Sequence, residues 1–264
     1  MCRWAAYVGQ PIFLEDIVSR PDHSLIRQSQ GARRCVTPVN ADGFGIAWYG
    51  ERSEPGLYRD VMPAWSDPNL HSLVAQVRSG LFMAHVRAST GTATSRNNCH
   101  PFVSGRWSFM HNGQFGGYDA FRRDADVMIP DDLYPHRKGA TDSEALFLIA
   151  LGEGLDRDPK GAMERAVARL TDLAMRRGSA PFVRAACAFS DGQRLYAIRH
   201  ASDDQAPSLF HRWSQSRGGR AVVSEPLETQ EEEWTEVPPG SFCIFDRDSV
   251  TVQPFAPQVQ ARAA

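Results

Sequence analysis

The sequence predicts a layered α+β domain, and two observations lead to that fold class. Short runs rich in β-branched and aromatic residues recur along the chain, each bounded by Gly, Pro, Asn, Asp or Ser. Between residues 142 and 177 the apolar residues follow helical spacing instead. Many strands around a central helical block favour antiparallel sheets covered by helices.

Short segments spread over the whole chain are predicted as strands. In chain order they are Arg3–Val8, Phe44–Tyr49, Leu81–Val86, Trp107–His111, Ala185–Ser190, Leu195–Arg199, Arg220–Ser224 and Phe242–Phe245. Asn112-Gly113 and Asp191-Gly192 are the strongest turn signals. Because Asp191-Gly192 separates two predicted strands, it indicates a hairpin.

Three stretches are predicted as helices. Pro159–Arg177 places its apolar residues on one face and most of its charged residues outside that face. A second helix covers residues 142–151, where Thr141 and Glu144 have the T-x-x-E spacing of a capping box. The amphipathic stretch Asp67–Val77 is the third.

The length of 264 residues allows one large domain or two small ones. The sequence has no internal repeat and no Ser/Gly-rich or Pro-rich linker that would divide it. We therefore predict one domain over residues 1–254, followed by a weakly ordered tail over residues 255–264.

Charge and apolar runs exclude several classes of partner. Lys and Arg number 29 against 31 Asp and Glu, a formal charge of −2, so the chain lacks the basic surface that nucleic acid or anionic lipid requires. The longest apolar run, Ala145–Leu151, is far shorter than the ~20 residues that cross a bilayer. No secretory signal is visible, and the five cysteines are widely scattered. We expect a cytoplasmic protein without membrane or nucleic-acid partners.

Common cofactor and hydrolase motifs are absent from the sequence. It contains no G-x-x-x-x-G-K-[ST], H-E-x-x-H or G-x-S-x-G, and no C-x-x-C pair that would hold zinc. The sequence therefore gives no indication of a metal or an organic cofactor.

Cys2 follows the initiator Met1, and its small side chain is compatible with removal of that methionine. Removal would leave one residue that carries both a thiol and a free α-amino group. The amine, with an ordinary pKa of about 7.7–8.0, can take the proton of the nucleophilic thiol and later return it to a leaving group. The alternative is an incidental small residue beside the start methionine.

Three further segments argue against Cys2 being an incidental residue. They are His85-Val86-Arg87-Ala88-Ser89-Thr90-Gly91, His111-Asn112-Gly113-Gln114 and Ala140-Thr141-Asp142-Ser143-Glu144. Together with Cys2 they resemble the class II glutamine amidotransferases, a branch of the N-terminal-nucleophile hydrolases. The resemblance runs from Cys2 to about Phe245. Supporting segments are Asn40-Ala41-Asp42-Gly43-Phe44-Gly45-Ile46, Asn98-Cys99-His100-Pro101-Phe102 and Val223-Ser224-Glu225-Pro226-Leu227.

The resemblance implies an αββα sandwich, in which two stacked antiparallel sheets are flanked by helices. It implies that Cys2 attacks the side-chain amide of glutamine or of a γ-glutamyl compound, releasing ammonia or an amine, and that water hydrolyses the resulting thioester to glutamate. The Asn112 side chain and the Gly113 N–H would stabilise the oxyanion, and one such donor is typically worth ~10²–10³ in rate. Taken alone, Asn112-Gly113 favours a plain tight turn, which is compatible with this role.

The same resemblance implies that Arg87 binds the substrate α-carboxylate, that Asp142 binds its α-ammonium, and that Thr90 shapes the substrate loop. A planar guanidinium suits a carboxylate because it can donate two hydrogen bonds to it. The alternatives are a surface or loop-bracing cation for Arg87, and for Asp142 a helix-start residue favoured by the macrodipole. Many family members have His where this chain has Gly91, which weakens the expectation that free glutamine is the natural substrate.

His85, His100 and His111 could form a catalytic or metal cluster. We interpret them instead as packed or hydrogen-bonding histidines beside the site, because the nucleophile carries its own base. Asp42-Gly43 is interpreted as a structural turn near Cys2.

Family-like segments use almost all of the chain, which leaves two enzyme hypotheses. One is a glutaminase-type subunit that delivers ammonia to a separate synthase subunit. The other is a stand-alone hydrolase of a larger γ-glutamyl amide, like the ergothioneine-pathway enzyme of this family. A third hypothesis is a catalytically silent protein used for binding or regulation, and the complete set of Cys2, Arg87, Asn112, Gly113 and Asp142 argues against it.

Overall fold

Two antiparallel sheets stack face to face in the computed structural model, which describes residues 2–34, 38–89, 91–178, 182–228 and 233–259. The strands are β1 (Arg3–Phe13), β2 (Phe44–Trp48), β3 (Gly56–Asp60), β4 (Arg78–Val86), β5 (Phe102–Ser104), β6 (Trp107–Phe115), β7 (Val183–Ser190), β8 (Leu195–Ala201), β9 (Phe210–Ser214), β10 (Gly219–Val223), β11 (Thr235–Glu236), β12 (Ser241–Phe245) and β13 (Val250–Pro254). The helices are α1 (Glu15–Val18), α2 (Leu25–Gln30), α3 (Pro68–Gln76), α4 (Tyr118–Val127), α5 (Asp142–Gly152) and α6 (Pro159–Arg176).

The first sheet has the strand order β11-β9-β10-β1-β4-β2-β3, and the second has the order β13-β12-β8-β7-β6-β5. Neighbouring strands in both sheets are antiparallel. Antiparallel pairing of Arg3 with Val86, and of Val86 with Phe44, brings the start of β1, the end of β4 and the start of β2 to one edge. That edge carries the segments singled out in the sequence around Cys2, Arg87 and Asp42.

Side chains of β1 alternate between two apolar layers, as the pleat of a strand requires. Trp4 and Ala6 face the second sheet, whereas Ala5 and Tyr7 pack on the opposite face beneath α1, α2 and α3. Both faces of the strand are therefore buried, which explains why its first half is almost wholly apolar.

The second sheet is covered in the same way. Met110 of β6 faces the first sheet, while Phe109 faces outwards and stacks on Phe147 of α5, with ring centroids 5.4 Å apart. Helices α4, α5 and α6 complete this outer core. The resulting helix–sheet–sheet–helix arrangement confirms the predicted αββα sandwich.

The three predicted helices are present with ends within one or two residues of the prediction. The capping box at α5 is half correct. Thr141 accepts a hydrogen bond from the Glu144 N–H at 3.2 Å. The Glu144 carboxylate does not return to the cap; it accepts from the backbone N–H groups of Lys138 and Gly139 at 3.1 and 2.7 Å. No helix in the described ranges is both long and apolar enough to span a membrane.

The two predicted turns have opposite outcomes. Asp191-Gly192 lies in the hairpin between β7 and β8, as predicted. The turn predicted at Asn112-Gly113 is wrong, because β6 continues through both residues to Phe115. Strand β7 supplies backbone partners opposite Asn112 and Gly113, and this pairing overrides the local turn preference.

Several elements gave no usable signal in the sequence. They are the strands β3, β5, β9, β11 and β13 and the helices α1, α2 and α4. Strands β5 and β11 have only three and two residues, and α1 has four, too few for a periodic pattern. Strand β13 is largely exposed, so its sequence lacks a buried stripe.

The first residues of the predicted tail contact the domain. Phe255 is buried, and its N–H donates to the Gly240 carbonyl at 2.8 Å. The next N–H, of Ala256, donates to the Glu164 carboxylate at 2.9 Å. The boundary drawn after residue 254 stays a prediction.

Candidate active site

A cavity of about 410 Å³ opens where β4, β6 and the start of α5 meet. Its wall includes four of the residues that the sequence analysis singled out, namely Cys2, Arg87, Gly113 and Asp142. Asn112 precedes Gly113 but is fully buried behind the wall. Thr90, the sixth predicted site residue, lies outside the described residues.

Cys2 stands directly before β1 and is only half-buried. Its Sγ lies 3.4 Å from the backbone nitrogen and 3.5 Å from the carbonyl oxygen of Ala88, just past the end of β4. Burial raises the pKa of the Cys2 thiol, although the Ala88 N–H opposes that change. The resting sulfur is therefore a thiol at neutral pH, and it becomes a strong nucleophile only when a base removes its proton.

The strand that carries Cys2 is clamped beside the cavity by the Val223–Leu227 segment. The Trp4 N–H donates to Ser224 Oγ at 2.9 Å. The fully buried Arg3 lies 3.5 Å from the carboxylate of Glu225, which also lies 2.5 Å from His23. This late segment has a family-like sequence, but nothing in that sequence indicates that it holds the first residues of the chain.

Asn112 lies on the face of β6 that looks toward the first sheet, because Met110 on the same face belongs to the core between the sheets. Trp4 ties the two sheets together at this point: its Nε1–H donates to the carbonyl of Ala186, which is the β7 neighbour of Asn112. Both amide atoms of Asn112 are buried without a hydrogen-bond partner among the described residues. Buried amides are normally hydrogen-bonded, so this side chain has a donor and an acceptor that the described part of the fold does not use.

Gly113 has a φ of 152°, which only glycine adopts easily. A Cβ atom here would overlap the Arg184 carbonyl oxygen of β7 and come within 2.6 Å of His111 Nε2. Glycine therefore lets the backbone of β6 approach β7 closely where it lines the cavity.

Asp142 is the first residue of α5, and its carboxylate turns back toward β6. Its Oδ2 accepts from the Phe115 N–H at 2.8 Å, and its Oδ1 accepts from the Ser143 N–H at 2.7 Å. Both roles considered for Asp142 are thus compatible with one position, at a helix start and on the cavity wall. The Phe115 contact has no signal in the sequence, because its donor is a backbone N–H that every residue type except proline carries.

Arg87 is buried and lines the cavity, yet it also braces the loop that follows β4. Its Nη2 donates to Ser89 Oγ at 3.1 Å and to Thr92 Oγ1 at 2.7 Å, and its Nη1 donates to the Asp42 carbonyl at 3.3 Å. Asp42 in turn accepts from the Ser89 N–H at 2.7 Å. The loop-bracing alternative is therefore present in the structure alongside the cavity position. Asp42 lies in a bend, and the backbones of Asp42 and Gly43 are hydrogen-bonded to the backbone of Arg87.

Residues 22–264 match the family described as glutamine amidotransferases class-II. The chain belongs to that family. The matched segment begins after Cys2, so membership does not by itself assign the nucleophile.

Individual relatives match this chain over nearly its whole length. The probable glutamine amidotransferase DUG3 of Saccharomyces cerevisiae is 31% identical over 96% of this chain and 84% of its own length. The gamma-glutamyl-hercynylcysteine sulfoxide hydrolase of Mycolicibacterium smegmatis is 27% identical over 90% of this chain and 92% of its own length. The solved structure of a glutamine aminotransferase class-II domain protein from Silicibacter pomeroyi is 49% identical, covers 97% of this chain and 100% of its own, and has a TM-score of 0.78.

The three histidines singled out in the sequence divide into two groups by their contacts. His85 and His100 are buried and stacked, with ring centroids 4.3 Å apart. Burial lowers the pKa of His85 to about 3 and holds that of His100 well below its ordinary value, so both rings are neutral. The ring of His111 makes different contacts and is hydrogen-bonded to Ser143 and Arg184.

Metal ligands do not converge in the part of the amidotransferase that the structure describes. No three His, Cys, Asp or Glu side chains among those residues are arranged to hold an ion. The polar groups that line the cavity include the Asp142 carboxylate at the helix start, the Arg87 guanidinium just past β4, and the Cys2 thiol.

Proposed function

We propose that this class II amidotransferase cleaves the γ-glutamyl amide bond of glutamine or of a γ-glutamyl compound through a thioester on Cys2. One observation carries the proposal: Cys2, Gly113, Arg87 and Asp142 line a single cavity. A nucleophile, an oxyanion donor and the two charges that recognise an amino-acid head group are thus available to one ligand.

Removal of Met1, which precedes catalysis, frees the α-amine of Cys2. In the first catalytic step this amine acts as the base. The raised pKa of the Cys2 thiol means that the sulfur keeps its proton until attack. The amine takes that proton as Sγ bonds to the amide carbon, because its ordinary pKa of about 7.7–8.0 lies close to neutral pH. The same proton then passes to the leaving nitrogen, which departs as ammonia or an amine.

Negative charge on the carbonyl oxygen requires donors that already point at it. The Asn112 side-chain amide and the Gly113 N–H are the proposed donors. The absence of a hydrogen-bond partner for the Asn112 amide among the described residues supports this role, since its N–H groups are not committed to the fold.

In the second step, water attacks the γ-glutamyl thioester, and the α-amine of Cys2 takes the proton from that water. The C–S bond breaks, the proton returns to sulfur, and glutamate leaves. Asp142 would hold the substrate ammonium and Arg87 its carboxylate throughout, with Thr90 in the loop that closes on the substrate.

A larger γ-glutamyl amide is the second candidate for the substrate. The cavity of about 410 Å³ falls in the range of roughly 300–1,000 Å³ that holds drug-sized ligands, and its wall continues past the predicted site to Gly117, Tyr118 and Ala120. Gly91, where many family members have His, and the named γ-glutamyl hydrolase among the relatives also favour this candidate.

The test compares glutamine with γ-glutamyl amides in a hydrolysis assay on the wild-type chain, Cys2→Ser and Cys243→Ala. Cys243 is a buried core cysteine between the sheets and serves as the matched control. We expect Cys2→Ser to lose hydrolysis and Cys243→Ala to retain it. Wild-type activity in Cys2→Ser would contradict the proposal. A preference for the larger amide supports the stand-alone hydrolase, whereas a preference for glutamine that a co-purifying chain increases supports an ammonia-delivering subunit.

A further inference from the structure

His111 is a buried imidazole that the proposed chemistry does not use. It lies on β6 directly before Asn112 and Gly113, and it lines the same cavity as Cys2. Its ring turns toward α5, because Nδ1 lies 2.8 Å from Ser143 Oγ.

The partners of the ring determine its protonation. Nε2 lies 3.2 Å from the Arg184 carbonyl oxygen, which can only accept, so Nε2 carries a proton. Burial lowers the pKa of His111, which leaves the ring neutral and makes Nδ1 an acceptor. The Ser143 hydroxyl therefore donates its one hydrogen to His111. It does not donate to Asp142 Oδ1, which lies 3.1 Å away.

Two hydrogen bonds join β6 to the first turn of α5. The Phe115 N–H donates to Asp142, and Ser143 donates to His111, each at 2.8 Å. Along β6 the two contacts stand on either side of Gly113. Together they fix the position of the Asp142 carboxylate relative to the Gly113 backbone.

That position has a chemical meaning, because the two groups serve opposite ends of the substrate. Gly113 faces the amide that reacts, and Asp142 faces the ammonium at the far end of the acyl chain. A substrate that engages both groups must match the separation between them. A difference of one methylene in a binding site changes discrimination by roughly 10–200-fold.

We propose that the His111–Ser143 hydrogen bond is a specificity-determining contact that sets the acyl-chain length the cavity accepts. With the bond in place, γ-glutamyl amides are cleaved and β-aspartyl amides, which are one methylene shorter, are rejected. The inference rests on the proposed function, since it takes Gly113 and Asp142 as the two ends of the substrate site. His111 acts here as a positioning residue and touches no reacting atom.

The test removes the bond without adding bulk, in Ser143→Ala. We would measure kcat/KM for γ-glutamyl-p-nitroanilide and for β-aspartyl-p-nitroanilide, and repeat the comparison with glutamine and asparagine. The expected result is a fall of about three- to tenfold in the preference for the longer substrate, the factor that one hydrogen bond supports. A variant that merely folds less well lowers both rates equally and leaves the preference unchanged.

Ser190→Ala is the matched control. Ser190 is also buried, and it is hydrogen-bonded to Arg194 and Gly192. It is the last residue of β7, whereas the residue that pairs with Gly113 lies near the start of that strand. Its substitution should not change the preference.

His111→Phe keeps a ring in place but lacks both nitrogens. It loses the contact to the Arg184 carbonyl as well as the contact to Ser143, so it should reduce the preference at least as much as Ser143→Ala does. The double variant should show no further reduction beyond His111→Phe, because the ring nitrogen that accepts from Ser143 is already gone. An unchanged preference in Ser143→Ala overturns the inference while leaving the proposed function standing. A wild-type chain that cleaves none of the four substrates overturns both.

Discussion

Replacing Asn112 with leucine should separate stability from catalysis. Leucine has the same branched shape without polar atoms, and the Asn112 amide is fully buried with no partner among the described residues. The fold gains nothing from that amide, so its removal should not weaken the fold. If the amide is an oxyanion donor, its loss should lower kcat strongly.

The expected magnitudes follow from those contacts. A buried polar group without a partner costs about 1–3 kcal/mol. Asn112→Leu should therefore leave the free energy of unfolding unchanged or raise it by up to that amount, a rise in Tm of at most roughly 12 °C. Loss of one oxyanion donor should lower kcat by ~10²–10³ with little change in KM.

Asn98→Leu is the matched control, because it makes the same change of size at another buried asparagine. The Asn98 side chain donates to the Ala93 carbonyl at 2.9 Å and accepts from the Ala140 N–H at 2.8 Å. Its substitution leaves two backbone groups unpaired and should cost about 2–6 kcal/mol.

The assay combines urea unfolding with steady-state kinetics on the wild-type chain and both variants. The reasoning about the unpaired amide is refuted if Asn112→Leu loses as much stability as Asn98→Leu. The oxyanion assignment is refuted if Asn112→Leu keeps the wild-type kcat.

Three further predictions concern other groups at the site. Gly113→Ala should lose about 2–5 kcal/mol of stability, because the φ of Gly113 is 152° and the new Cβ would overlap a carbonyl of the neighbouring strand. The control Gly105→Ala, at a φ of 55° with open space around it, should have a Tm much closer to that of the wild type. Burial lowers the pKa of His85 from about 6.5 to about 3, so below pH 6.5 the unfolded chain binds a proton that the folded chain does not. Between pH 7 and 5 the free energy of unfolding should therefore fall by about 2 kcal/mol more in the wild type than in His85→Gln. Equal losses of the two chains in urea unfolding would contradict this. Asp142→Asn should raise KM about 10- to 100-fold by removing the charge opposite the substrate ammonium, whereas the control Asp158→Asn, at the exposed N-cap of α6, should leave KM unchanged.

Long periodic elements and the joint set of motifs could be predicted from the sequence. Helix α6 has 18 residues with a clear apolar face, so its two ends could be predicted accurately. Helix α5 was found through its cap, although eight of its residues are buried and it has no polar face. The grouping of Cys2, Arg87 and Asp142 could be expected only from family resemblance, because their separation along the chain carries no geometric information.

Other features depend on tertiary contacts that no local pattern encodes. Asn112-Gly113 has the sequence of a turn, yet strand pairing with β7 keeps both residues extended in β6. The Glu144 carboxylate serves the backbone before the helix instead of the helix cap. The clamp of Ser224 on Trp4 joins residues at opposite ends of the chain, and only the completed sheet brings them together.

The most direct measurement of the central claim is the intact mass of the natively expressed, untagged chain before and after treatment with a diazoketone analogue of glutamine. The account predicts a chain that lacks Met1 and gains one adduct, with the adduct on Cys2. Extending the N-terminus with a non-cleavable tag should abolish both the adduct and glutamate release, because the amine becomes an amide. A fully active chain that retains Met1, or a tagged chain that reacts at the normal rate, would contradict the claim that Cys2 supplies both nucleophile and base.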